Sequence, residues 1–319
     1  MVNGAEPLKW SDLERETVSC ALCGADDPRP LSECRGWPVV KCRRCGLVYL
    51  RQRPSEDTLE ELYGSAYYDA EDDVGYRGYM KTYNRYRHIF ERIFARRDRD
   101  LRRRTRGNRL LEVGCAYGTL LDFLKGRGWN ARGVEISPVS SRIAREELGL
   151  DVRTGQLEDA AFPADSFDVV LLLDVLEHLH RPFETLAEIR RILAPGGTLV
   201  VQCPYELYHW EEVGEAVLRG RKTGTIEPDS IPAHLYFFVP RTLEAFLEKG
   251  GFTISSRQSG NYGEIRRRVS PPRIVQGSPA ETLFRLAYFR LGIQRLLYTI
   301  ARWAGQGSGI IRYATPDSR

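Results

Sequence analysis

Short apolar runs alternate with longer amphipathic stretches from residue 109 to about 260, and this alternation is the dominant pattern of the chain. Runs at 109–114, 131–136, 151–154, 167–173 and 197–203 predict strands, and the stretches at about 119–127, 138–148, 182–193 and 240–250 predict helices between them. Strands separated by helices argue for a parallel sheet covered on both faces, hence an α/β fold. Residues 253–259 predict a sixth strand and 309–314 a seventh. Upstream, Tyr79, Tyr83, Tyr86, Phe90, Ile93 and Phe94 recur at three- and four-residue steps, so residues 76–106 predict one or two helices. Pro54 to Asp57 predicts the start of another short helix. Residues 279–303 predict a further helix, whose arginines do not segregate from its apolar residues as they would on a membrane surface. That helix is expected to pack on its own domain or on a second subunit, which leaves a homodimer open.

The cysteines divide off the N-terminal part. Cys20-Ala-Leu-Cys23 and Cys42-Arg-Arg-Cys45 are two C-x2-C pairs with 18 residues between them. This spacing suits two knuckles whose four thiolates close a tetrahedron around structural zinc. Gly24 and Gly46 follow the pairs where the chain must turn back. The alternative, a pair of disulfides, needs an oxidising compartment. The polar opening at residues 1–7 has no basic head with an apolar core, which predicts a cytoplasmic location. Cys34, Cys115 and Cys203 read as bystanders. Three parts are expected: a zinc ribbon at 1–50, a helical linker at 51–107, and a sheet domain at 108–319 with a helical insertion at about 263–305.

Composition adds bounds. The chain has 319 residues, 42 % hydrophobic and 28 % charged, with a net charge of +4. That is an ordinary globular balance and does not by itself indicate nucleic acid. The longest apolar run, residues 169–173, is cut by Asp174 and is far too short to span a bilayer.

The candidate chemistry sits at the first strand. In RLLEVGCAYGTLL at 109–121, Gly114 and Gly118 permit a tight turn into a helix, which is expected to leave amides free for a ligand lying close to the backbone. Glu135 ends the second strand in GVEIS at 133–137, where a carboxylate suits two adjacent ribose hydroxyls. Two glycines stand where a dinucleotide turn wants three, which favours a nucleoside without phosphates.

This pattern resembles the seven-strand class I methyltransferases that use S-adenosylmethionine. The resemblance continues through DVRTG at 151–155, QLEDAAF at 156–162, SFDVVLLLDVLEH at 166–178 and RILAPGGTL at 191–199. It implies a Rossmann-like seven-strand sheet with the strand at 309–314 antiparallel between strands five and six. It also implies a cofactor site at Glu112, Gly114, Cys115, Ala116, Tyr117, Gly118, Glu135, Ile136, Gln156, Leu157 and Asp174. There the glycine turn holds the methionine end over Glu112, and Gln156 with Leu157 reads the adenine.

Methyl transfer from a sulfonium is mainly alignment, but a hydroxyl acceptor also needs a base. His178, after the fourth strand, and His234, in the connection after the fifth, are the candidates; the alternative for His178 is that it positions cofactor or caps a helix. Tyr67, Tyr68, Tyr205, His209 and Tyr236 are expected to bind the acceptor. The chain looks like zinc-module bacterial methyltransferases of glycan and natural-product pathways, so a small-molecule hydroxyl is the expected target. The competing reading is an RNA methyltransferase that grips phosphates through the ribbon and the 11 arginines of residues 85–109. Glu91, Asp98 and Asp100 interrupt that run, and a third reading is a non-catalytic scaffold.

Overall fold

A computed structural model of the chain describes residues 13–58, 63, 79–205, 230–260 and 309–317. Thirteen strands and five α-helices are described. The first five strands are β1 (Arg15–Thr17), β2 (Pro28–Cys34), β3 (Trp37–Cys42), β4 (Val48–Leu50) and β5 (Gln52–Pro54). They are followed by α1 (Tyr79–Arg102), β6 (Arg109–Val113), α2 (Thr119–Lys125), β7 (Asn130–Glu135), α3 (Pro138–Glu146), β8 (Asp151–Thr154), β9 (Phe167–Leu173), α4 (Pro182–Ile192) and β10 (Leu193–Pro204). The last elements are β11 (Tyr236–Phe237), α5 (Pro240–Lys249), β12 (Phe252–Gly260) and β13 (Gly309–Pro316).

The main sheet has seven strands in the order β12-β13-β10-β9-β6-β7-β8. β13 lies antiparallel between β10 and β12, as expected for the seventh strand. The central run β9 reads Phe-Asp-Val-Val-Leu-Leu-Leu because helices cover both faces and leave little room for alternation. Val169, Val170, Leu171 and Leu172 are all fully buried. Arg109 and Asp168 pair at the amino ends of β6 and β9, Nη2 to Oδ1 at 2.6 Å, and that pairing holds Asp168 below the usual carboxylate range.

α1 packs Tyr83, Phe90 and Phe94 toward Phe123 of α2, with non-helical backbone at Tyr86 dividing it. Three of its arginines have partners within the protein. Arg87 pairs with Glu91, Arg102 with Asp98, and Arg97 reaches Gln202. No described helix is long and apolar enough to cross a membrane. The insertion at 263–305, its helix at 279–303, and Tyr67, Tyr68 and His209 lie outside the described residues.

The N-terminal strands form a second sheet, β11-β4-β3-β2. Its edge strand β11 comes from the far side of the sequence, Tyr236 opposite Tyr49 and Phe237 opposite Val48. β5, just past residue 50, pairs back on β1. One apolar cluster runs from Trp37, Tyr49 and Leu50 through Phe237 and Phe246 to Leu176. The cysteine module and the main sheet thus share a core.

Candidate functional site

The site lies at the carboxyl ends of β6, β7, β8 and β9, where an open α/β sheet presents its crevice. Val113, Gly114, Ala116, Glu135, Ile136 and Gln156 line one wall of the cavity. Gly114 turns with φ 71°, and a Cβ there would lie 2.5 Å from Val175 Cγ2. Gly118, at φ 76°, starts α2, and a Cβ there would lie 2.5 Å from Leu150 Cδ1. Both positions combine a left-handed backbone with a close neighbour, so both require glycine.

The turn differs from expectation in its amides. Gly114 and Cys115 donate to the Val134 carbonyl, Gly118 to that of Cys115, and Ala116 to Glu135 Oε2 at 2.7 Å. The first two and Ala116 tie β6 to β7 because Val134 and Glu135 stand directly beside the turn, and Gly118 closes the turn itself. These four amides are therefore not free donors for a ligand. Glu135 also accepts from Ser137 N at 2.9 Å through Oε1. Its carboxylate is thereby fixed in orientation at the wall of the cavity.

Other expected cofactor residues stand behind this wall. Glu112 is fully buried beneath the turn, and burial pushes its carboxyl up to about 8, with Arg97 opposing and Glu135 adding to the shift. Cys115 points into the sheet, its sulfur 2.7 Å from where a Gly133 Cβ would sit. Burial, with Glu112 and Glu135 nearby, holds its thiol well above the usual range, so it offers no nucleophile. Tyr117 packs in the core.

Gln156 and Leu157 line the cavity together with Glu158 and Arg181. Glu56 reaches the same edge from the linker, accepting from Gln156 Nε2 at 3.4 Å and from Arg181 Nη2 at 2.7 Å. Asp174 follows β9 with φ 56°, uncommon for a non-glycine residue and concentrated at functional sites. Gln202 Nε2 donates to its Oδ2 at 3.1 Å, and Arg97 Nη2 donates to Gln202 Oε1 at 2.6 Å.

The histidines meet. His178 lines the cavity, and the His234 ring packs edge-on against it with centroids 4.6 Å apart. His178 Nδ1 lies 2.9 Å from the Ala233 carbonyl and 3.0 Å from Tyr63 Oη. A carbonyl only accepts, so Nδ1 carries the proton and Nε2 keeps the free lone pair. Burial, reinforced by His234, pushes His178 down to about 3 and keeps it neutral. Neighbouring Glu177 is 1 % exposed. Burial and Asp174 push it up to about 8, against the opposing pull of His234 and the Cys203 thiol.

Two expected acceptor residues lie elsewhere. Tyr236 sits on β11 with its hydroxyl accepting from Arg53 Nη1 at 3.2 Å, so strand pairing directs it into the seam with the N-terminal sheet and away from the cavity. Tyr205 is buried in the core cluster and is not among the residues lining the cavity. Tyr63 and Arg97 are the site neighbours that sequence reasoning missed. Each comes from the linker, 115 and 105 residues from its partner.

The four cysteines gather as their spacing predicts. Cys20 and Cys45 Sγ are 3.4 Å apart, and Cys23 and Cys42 Sγ 3.5 Å apart. A tetrahedron with Zn–S of about 2.3 Å has edges of about 3.8 Å, so the set fits a small thiolate-bound ion. Gly24 N donates to the Cys20 carbonyl and Gly46 N to that of Cys42, at φ 71° and 83°, which makes the two knuckles alike. Burial opposes ionisation of Cys42, but hydrogen bonds led by the Cys45 amide bring it down to about 7.

A seven-strand sheet with one antiparallel strand, a glycine turn after the first strand and an acid ending the second define the class I methyltransferase fold. A family model described as methyltransferase domain matches residues 80–257. The chain belongs to this family of S-adenosylmethionine-dependent methyltransferases. It is 38 % identical over 120 residues to a ubiquinone biosynthesis O-methyltransferase of Cereibacter sphaeroides, a match covering 35 % of this chain and 49 % of that protein. It is 32 % identical over 189 residues to one of Azorhizobium caulinodans, covering 56 % of this chain and 72 % of that protein. The chain thus spans about half the length of the first of these curated relatives. A solved S-adenosylmethionine-dependent methyltransferase from Archaeoglobus fulgidus is 20 % identical, covering 72 % of this chain and 99 % of that one, with a TM-score of 0.44.

Proposed function

We propose that this chain methylates a hydroxyl of a small-molecule acceptor, a sugar, glycan or natural-product intermediate, with S-adenosylmethionine as donor. The observation that carries the reading is one cavity bounded by the Gly114 turn and Glu135 on one side and by His178 on the other. When bound, S-adenosylmethionine supplies an electrophilic methyl group on a sulfonium. Glu135 holds the ribose, Gln156 and Leu157 border the adenine, and Glu112 lies under the methionine end. His178, neutral with Nε2 free, meets the acceptor hydroxyl and activates it together with His234. The relatives named O-methyltransferases support oxygen as the target atom. The cysteine cluster holds a structural zinc ion, with no coordination position left for chemistry.

The test is transfer of label from S-adenosylmethionine to a panel of phenols, nucleotide sugars and RNA. Label should appear in a small hydroxyl compound and fall 10²- to 10⁴-fold in His178→Ala, the usual cost of removing an activating group. Labelling of RNA alone, or failure to bind S-adenosylmethionine in calorimetry, would refute the proposal.

A further inference from the structure

We infer that Glu56 is a positioning residue for nucleobase selection. It fixes the side-chain amide of Gln156 so that the amide oxygen serves the ligand, and the site thereby selects adenine over its deaminated counterpart, hypoxanthine. This role rests on the methyl-transfer reading above, which puts the adenine beside Gln156 and Leu157.

Glu56 opens the turn Glu56–Thr58, shortly after β5. Three hydrogen bonds hold the chain there. Ser55 N donates to the Glu14 carbonyl at 2.9 Å, the buried Thr58 hydroxyl donates to the Ser55 carbonyl at 2.7 Å, and His180 Nε2 donates to the Pro54 carbonyl at 2.8 Å. Glu56 itself accepts through Oε1 from Arg181 Nε at 3.0 Å and from Arg181 Nη2 at 2.7 Å. Arg181 and Gln156 both line the cavity, so a carboxylate from the linker stands directly behind its wall.

Gln156 Nε2 donates to the same Oε1 at 3.4 Å. The contact is long, and its weight lies in its sign. A glutamine amide can turn either its NH₂ or its oxygen toward a neighbour, because the two ends are alike in shape. A carboxylate paired with a guanidinium offers only acceptors, so it attracts the NH₂ and repels the oxygen. The oxygen is therefore what Gln156 presents to a ligand. It matches the exocyclic amine of adenine, which donates, and opposes the exocyclic oxygen of hypoxanthine, which accepts. Specificity of this kind comes from the repulsive pairing as much as from the attractive one. Without Glu56 the amide can turn over and serve either base.

The experiment measures, by calorimetry on the full-length protein, binding of S-adenosylhomocysteine and of its deaminated analogue S-inosylhomocysteine. Wild type should bind the adenine compound at least ~tenfold more tightly, about the worth of one hydrogen bond. The ratio should fall to about threefold or less in Glu56→Ala, and also in Glu56→Gln, which keeps the side-chain volume but offers both a donor and an acceptor. A merely structural Glu56 would weaken both ligands alike and leave the ratio unchanged. In a Gln156→Ala background, removing Glu56 should change the ratio no further, since it acts only through that amide. Wild type without a preference, a ratio that survives in the Glu56 variants, or a Glu56 effect that persists without Gln156 overturns the assignment. If neither compound binds to wild type, the S-adenosylmethionine reading itself fails, and the role of Glu56 falls with it.

Discussion

Glu135→Ala should damage the cofactor site and the fold together. The carboxylate accepts from Ala116 N at 2.7 Å and Ser137 N at 2.9 Å while 2 % exposed, so its loss orphans two amides in the interior. Charged hydrogen bonds contribute about 1.5–3 kcal/mol each. Two of them give a loss of about 3–6 kcal/mol against a total stability that is usually about 5–15 kcal/mol. For a domain of this size each kcal/mol corresponds to roughly 2–4 °C, so the melting temperature should fall by about 6 °C or more. Glu135→Gln keeps one acceptor and turns an amide NH₂ on the other donor, and should fall between wild type and alanine. Calorimetry with S-adenosylhomocysteine, run below both melting transitions, should show roughly a ten- to hundredfold weaker complex, the equivalent of about 1.4–2.8 kcal/mol. An alanine variant that melts with the wild type would refute the structural reasoning. Unchanged affinity in a folded variant would refute the ribose assignment.

Two other outcomes are expected. Purified protein should carry one equivalent of zinc, and Cys42→Ser should lose it together with the cooperative melting of the N-terminal sheet, since metal binding and folding are coupled in so small a module; metal analysis showing less than half an equivalent in wild type refutes the assignment. Buried Glu112 keeps its proton up to about 8, against the ordinary carboxyl value of about 4.5 that applies when unfolded. Its contribution to stability is full below about 4.5 and lost as pH rises toward 8, with a slope of at most ~1.4 kcal/mol per pH unit. Denaturant titrations should show Glu112→Gln flattening that decline, and parallel curves for the two proteins would contradict it.

The main sheet was legible because its signals are local. Each apolar run from 109 to 203 is bounded by its own turn, and the antiparallel place of 309–314 followed from the family pattern. The cysteine cluster was legible because C-x2-C spacing fixes a knuckle whatever surrounds it. Contacts made across the fold left no such trace. Tyr63 reaches His178 over 115 residues, and Glu56 reaches Gln156 over 100. Tyr236 misled because HLYFF shows aromatic residues but not their partners, and only the pairing with Tyr49 reveals which way they face. Free amides were expected from the glycine turn alone, without knowing that Val134 and Glu135 would stand beside it.

β11 gives the N-terminal sheet and the histidine loop a common fate. Leu50 N donates to the Leu235 carbonyl at 3.0 Å, and Leu235 N donates to the Glu177 carbonyl at 2.8 Å, so one ladder of amides runs from the cysteine module to the turn holding His178. Opening either end removes the template for the other. Hydrogen exchange at Leu50 and Leu235 should therefore share one opening free energy and behave as a single cooperative unit. In such a unit, loss of the metal proposed for the four cysteines would reach the histidines as a change in the population of their loop, without any contact between the cysteines and the cavity.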